Sequence, residues 1–321
     1  MATISTLRPP AQQQAGQPRK ISRAARLRAD KSLLLMVLPA VILLALFVYL
    51  PLIGNVIAFL DYQPYLPIGQ SPWVGLRNFE LAFSDPTFWR AVTNTLEITA
   101  LQLVLYFPVP IALALLIHSL SWPWLRSIVQ SVVYLPHFLS WVIVIGFFQQ
   151  TLGSSGLLGN WLRAGGHTVP DILSNPDTFK LLLTSQNVWK DAGWGAIIFL
   201  AALAAIDASL YEAAAIDGAG PWQRFWHVTL PGIRPVIILL LILRLGEALS
   251  VGFEQIILQR GAVGANAAEV LDTWVYYHGI LDGNWGVGIA VGFIKGIVGL
   301  FLILAANKVA HLLGEQGIYS R

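Results

Sequence analysis

The chain has 321 residues, of which 56% are hydrophobic and only 12% charged, with a mean hydropathy of +0.65. A soluble domain carries about 25% charged residues, so this composition excludes an ordinary soluble globule and defines a membrane protein. The absence of cysteine excludes disulfides, thiolate metal sites and cysteine nucleophiles, and the net charge of +3 matters less than where the charges lie.

Residues 1–31 are polar, rich in Gln, Pro and Ala, and read as disordered. Arg8, Arg19, Lys20, Arg23, Arg26, Arg28 and Lys31 stand there against a single acid, Asp30. Such a run is the basic flank of a membrane span rather than a nucleic-acid arm. The apolar run from Ser32 to Leu60 that follows exceeds the roughly 7–15 residues of a signal-peptide core. A helix needs about 20 mostly apolar residues to cross a bilayer. That rule predicts spans at 33–60, 91–118, 124–149, 234–258 and 285–312, with a weaker one at 188–208 bracketed by Lys190, Asp191 and Asp207. The expected organisation is a six-span domain over 32–313 and a tail at 314–321. Pro108, Pro110 and Pro136 fall within spans and predict kinks there.

With six spans, twelve of the twenty Lys and Arg residues fall on the side of the termini and six on the other. Both termini and the 210–235 segment are therefore expected in the cytoplasm of a multi-pass plasma-membrane protein. The outside loops are longer and richer in acids and aromatics. They suit partner docking or simple capping of the bundle.

The segment 210–235 is polar although two apolar spans flank it. Ser209 and Glu212 fit a capping box, Gly218 to Gly220 suit a turn, and Pro221 suits the first position of a second helix. Pro231 is expected to end that second helix. Trp222, Phe225, Trp226 and Thr229 share one of its faces by spacing. The aromatics either pack back on the spans or contact another protein.

Glu212-Ala213-Ala214, then Gly218, then Val228-Thr229-Leu230-Pro231 resembles the EAA loop of binding-protein-dependent ATP-binding-cassette importers. "EAAAIDGA" followed by Phe225, Leu230-Pro231 and Pro235 is similar to their carbohydrate branch, as are "YLPHFLSWVIV", "WKDAGWGAIIFLAALAAID", "GFEQI" and "AVGFIKGIVGL". Val228 stands where Ile is usual. The resemblance covers most of residues 33–320 and implies an all-α integral membrane protein, with six transmembrane helices of the type I ABC importer permease kind. It makes Glu212, Ala213, Ala214, Asp217, Gly218, Phe225, Leu230 and Pro231 the residues that couple to a cytoplasmic ATPase. Further implied partners are a second homologous permease, an ABC ATPase dimer, an extracytoplasmic substrate-binding protein and a carbohydrate substrate, an oligosaccharide in this branch. Membrane lipid completes the surroundings, and no nucleic acid is expected. This chain has no phosphate-binding G-x-x-x-x-G-K-[ST] loop; it is expected to bind no cofactor, with ATP and Mg held by the partner ATPase, and to be no enzyme itself. The six histidines are scattered singly and no metal site or catalytic set is expected.

Charged residues within spans must face protein or water, which singles out Glu97, Arg244, Glu247 and Lys295. Glu247 either pairs with Lys295 across two spans or with Arg244 along one helix, and a substrate role stays open. A sugar pathway needs flat aromatic faces, amides and hydroxyls; Asn94, Gln102, Phe138, Trp141, Trp194 and Gln255 are of the right type and depth. An ion-coupled secondary transporter is the alternative, resting on Glu97 and Glu247 alone. A docking peg and a membrane enzyme stand behind it.

Overall fold

The computed structural model describes residues 31–315 and 317–319, so the basic segment at 1–30 lies outside the described residues. The chain divides into two compact units at Gly54. The first contributes helix Lys31–Leu44, a π turn Ala45–Tyr49 and a last turn Leu50–Ile53. In the second, α1 (Arg77–Ser84) precedes α2 (Pro86–Ser119), α3 (Pro123–Tyr134), α4 (Trp141–Leu152) and α5 (Leu157–Ala164). Then come α6 (Phe179–Ala204), α7 (Ala208–Ile216), α8 (Pro221–Gly246), α9 (Phe253–Val263), α10 (Leu271–Trp274, continued by a π segment Val275–Leu281) and α11 (Trp285–Leu312). Among the described residues, five helices are long and apolar enough to cross a membrane, and six if α6 and α7, bent by 63° at their junction, make one span. Among the described residues the extended backbone amounts to an isolated bridge between Leu60 and Trp73.

Three prolines that a regular helix would resist are each preceded by a π turn: Ala45–Tyr49 before Pro51, Gln102–Tyr106 before Pro108, and Phe225–Thr229 before Pro231. In the second and third, Phe107 N–H donates to Gln102 O and Leu230 N–H to Phe225 O, a five-residue step. The wider turn accommodates a ring whose nitrogen has nothing to donate. Pro231 therefore does not end its helix, contrary to the expectation from sequence. α8 runs through it, and through Pro235, to Gly246.

Two expected spans are interrupted. Within 124–149, Leu139 and Ser140 are extended, and the Ser140 hydroxyl caps α4 at Ile143 N. Pro136 thus sits beside a break rather than a kink. Within 234–258, α8 stops at Gly246, residues 247–252 unwind, and Gly252 starts α9 at φ +92°, a conformation glycine tolerates.

Lipid tails are as apolar as leucine, so close packing rather than water exclusion holds such helices together. α6 is the hub, lying along α2 and against α3 and α8. A Cβ at Gly193 would sit 1.9 Å from Val133 O, and one at Gly299 2.8 Å from Gly246 O. Phe199, Leu203 and Ile233 pack in one buried cluster, and Ile98, Phe179, Leu183 and Ile256 in another.

Candidate functional site

The 210–235 segment is a rigid hairpin. Asp207 caps α7 by accepting the Ser209 amide at 2.9 Å, so the helix begins before Ser209 and the expected Ser209–Glu212 capping box does not form. Hydrogen bonds from the Ser209 amide and hydroxyl hold the Asp207 carboxyl below its usual range. At the other end Gly218 N–H reaches Ala215 O and Ala219 N–H reaches Ala214 O, a Schellman closure with Gly218 at φ +77°. Gln223 Oε1 then accepts Gly220 N–H at 2.8 Å, and Arg224 Nε donates to Ala219 O at 2.8 Å. Tyr211 OH and Thr229 Oγ1, 3.0 Å apart, tie the two arms.

Such bonding leaves one surface open. Glu212, Ala213, Asp217, Gly218 and Pro231 are exposed, and Ala214, Phe225 and Leu230 half-buried. Ile216 is 88% exposed and Trp222 70%. Trp222 stacks on Phe225 and Trp226 meets it edge-on, and both tryptophans stay exposed rather than folding away into the bundle. The hairpin's exit is tied to the tail: Arg234 pairs with Glu315 at 2.9 Å, and Asn307 Oδ1 accepts the Ile318 amide at 2.7 Å. Composition gave no hint of that tail contact.

The ten candidate pathway residues divide sharply. Phe138, Trp141 and Trp194 come together where α3 breaks against α6. Phe138 meets Trp194 edge-on at 5.7 Å, and Lys190 Nζ lies 5.5 Å from the Trp141 ring centre. His137 stacks flat on Trp194 at 4.4 Å, its Nδ1 lies 2.8 Å from Asp191 Oδ1, and its carbonyl accepts Lys190 Nζ at 2.6 Å. Phe138 is 71% exposed and Trp194 46%, which leaves flat aromatic faces beside an acid and a base. Sequence reasoning missed His137, Lys190 and Asp191. Their one signal was that 134–144 and 189–207 both carried the family resemblance.

Other candidates are taken up by structure. Asn94 holds the carbonyls of Asn266 and Glu269, and Glu97 pairs with Lys180. Gln102 accepts from Arg244, whose guanidinium also lies 5.9 Å from the Tyr106 ring centre. Gln255 is fully buried, with Gln186 Oε1 accepting both its Nε2 at 2.7 Å and Gln259 Nε2 at 3.0 Å. Lys295 pairs with Asp272 on α10, not with Glu247, which stands just past the end of α8 at Gly246. Glu247 instead stands 4.0 Å from Arg244, its side chain 74% exposed. Among the described residues no cluster of His, Asp and Glu suited to a metal is present.

The chain is thus a helical bundle with membrane-spanning helices that presents an open, braced polar hairpin. The chain belongs to the family described as binding-protein-dependent transport system inner membrane component, whose model matches residues 107–314. It is 45% identical over 296 residues, 92% of each chain, to the polygalacturonan/rhamnogalacturonan transport system permease protein YteP of Bacillus subtilis. It is 30% identical over 281 residues, 87% of this chain and 88% of the other, to the arabinooligosaccharides transport system permease protein AraP of the same organism. Among solved structures, a bacterial ABC transporter involved in the import of the acidic polysaccharide alginate matches with a TM-score of 0.82 and 37% identity, over 90% of this chain and 98% of that one. A second structure shows that alginate transporter in complex with an alginate-pentasaccharide-bound periplasmic protein and matches equally well. The chain is thus a multi-pass permease of the ABC importer type, and this membership excludes the ion-coupled alternative.

Proposed function

We propose that this permease forms, with a second homologous permease, the path for an oligosaccharide, and that a separate ATPase dimer drives it through the 210–235 hairpin. A substrate-binding protein delivers the cargo on the face opposite the hairpin, with both termini cytoplasmic. The single observation that carries this reading is the hairpin itself. Ile216 and Trp222 stand out to solvent on a frame braced by the Schellman closure and the Tyr211–Thr229 contact. Exposed apolar residues on a rigid support are what a partner's groove needs. In that groove Glu212, Ala213, Ala214, Asp217 and Gly218 form the contact line, while Phe225, Leu230 and Pro231 carry force into α8. ATP and Mg belong to the partner.

Phe138, Trp141 and Trp194 then supply the sugar-contact face, with Lys190 and Asp191 as its polar partners. The sugars named for the relatives support an oligosaccharide cargo. Purification from native membranes in mild detergent tests the assembly: a second permease and a P-loop ATPase are expected in the mass spectrum. Oligosaccharide-stimulated ATP hydrolysis by that preparation tests the function. A chain that emerges alone from a preparation known to preserve complexes overturns the reading.

A further inference from the structure

The end of α11 is finished with more bonds than a free tail needs. Gly314, at φ +80°, stops the helix: its N–H reaches His311 O at 3.2 Å and Glu315 N–H reaches Ala310 O at 3.0 Å, a Schellman closure. Residues 317–319 then run back along the helix. The buried Asn307 accepts the Ile318 and Tyr319 amides on Oδ1, at 2.7 and 3.3 Å, and His311 Nε2–H donates to Tyr319 O at 2.7 Å. Glycine at 317 allows this approach, because a Cβ there would collide with Asn307 Oδ1.

These bonds fix where Glu315 stands, and it stands against α8. Its Oε1 lies 2.9 Å from Arg234 Nε, with the Glu315 side chain 17% exposed and that of Arg234 52%. Arg234 follows the π segment Phe225–Thr229 by little more than a turn, where movement of the hairpin enters the long part of α8. α8 and α11 meet a second time at Gly246 and Gly299, where a Cβ on Gly299 would lie 2.8 Å from Gly246 O. Twelve residues separate Arg234 from Gly246, about 18 Å of helix. Two fastenings that far apart hold a pair of helices against splaying, which one alone cannot do. An ion pair this open to water adds little stability by itself. The buried asparagine, the close-packed glycine and the helix stop around it serve to hold Glu315 in one place.

We propose that Asn307, Glu315 and Arg234 are positioning residues for coupling: the tail clasp makes α8 and α11 one arm, so that movement of the hairpin displaces both. The inference rests on the ATPase-driven reading of the hairpin. Without the clasp, α8 hinges about the Gly246–Gly299 contact and leaves the end of α11 behind. With it, the displacement reaches Lys295 on α11 and, through the Lys295–Asp272 pair, α10.

The test uses the assembled importer in nanodiscs, its partner chains freed of cysteine, with spin labels on Leu239→Cys in α8 and Leu312→Cys at the end of α11. Both positions are exposed, and the chain has no cysteine of its own. Pulsed dipolar spectroscopy measures the label distance without nucleotide and with nucleotide trapped by vanadate. The clasped protein is expected to keep one distance in both states. Glu315→Arg, which sets two cations together, is expected to keep that distance without nucleotide and to change it by about 2 Å or more on trapping, the scale of helix shifts in switching proteins. Arg234→Glu combined with Glu315→Arg restores the fixed distance. The clasp is overturned by a distance that changes on trapping in the clasped protein, or that stays fixed in Glu315→Arg. It is equally overturned if Glu315→Arg already differs without nucleotide, which marks a static support, or if the double reversal restores nothing. Should Glu315→Arg not assemble, Glu315→Gln, of the same shape but uncharged, carries the same expectation. A preparation in which vanadate traps no nucleotide on any partner removes the proposed function and the clasp with it; trapped nucleotide with a failed distance test removes the clasp alone.

Discussion

The 210–235 hairpin and the aromatic cluster are built in opposite ways. The hairpin is local: Asp207, Gly218, Gln223 and Arg224 bond to groups within a few residues of themselves. The aromatic cluster is assembled from α6 and the α3–α4 break, with His137 and Asp191 separated by 54 residues. A local device keeps its shape while the bundle around it moves, which suits a lever. A cluster made at a helix break changes whenever the two helices shift, which suits a gate or a contact that must release its cargo.

The sharpest way to break this contrast is to force the two helices apart. Gly193→Val places carbon where Val133 O already lies, and such overpacking costs about 1–3 kcal/mol or more. The cluster is expected to disassemble while the hairpin persists. Loss of tryptophan fluorescence contrast at Trp194, together with a lowered melting temperature, reads it. Next in size is Gln186→Leu, which leaves the Gln255 and Gln259 amides without their shared acceptor and costs about 1–3 kcal/mol of stability. Thermal unfolding in detergent measures that loss.

The hairpin's own test is Gly218→Val. Its positive φ penalises a β-branched residue by roughly 1–3 kcal/mol, and the strain falls on the elbow alone. Uptake and stimulated ATP hydrolysis are expected to fall together, well beyond the modest lowering of the melting temperature that this strain causes. Trp194→Ala is milder: removal of an aromatic face worth about 1 kcal/mol is expected to raise the KM for cargo several-fold and leave unstimulated ATP hydrolysis intact. The smallest effect comes from acid. The Asp207 carboxyl is held below its ordinary range, so its contribution is present above the carboxylate's unperturbed pKa and fades as pH falls through the lowered value. Faster amide exchange at Ser209 in acid reports it.

The same contrast explains what the sequence could show. A turn glycine at Gly218 and a helix-starting Pro221 announce themselves because their constraints are local. The capping residue was misjudged because Asp207 and Ser209 are both good caps, and the choice depends on where α6 ends. Pro231 was misjudged because a π turn, invisible to composition, absorbs it. Phe138, Trp141 and Trp194 were legible as types, but Asn94, Gln102 and Gln255 are equally polar and are taken up by bonds to distant carbonyls, a guanidinium and a side-chain amide. Only the fold decides between them. Lys295 shows this most plainly: its partner Asp272 lies on a short helix that hydropathy alone does not mark.

The account stands on the hairpin being gripped by a separate ATPase. The chain has no cysteine, so Ile216→Cys places one thiol on the exposed tip of α7. Maleimide labelling of this variant, with and without the co-purified ATPase, is the most direct measurement. The account predicts fast labelling of the permease alone and strong protection in the assembled complex. Equal labelling rates in the two preparations would contradict it.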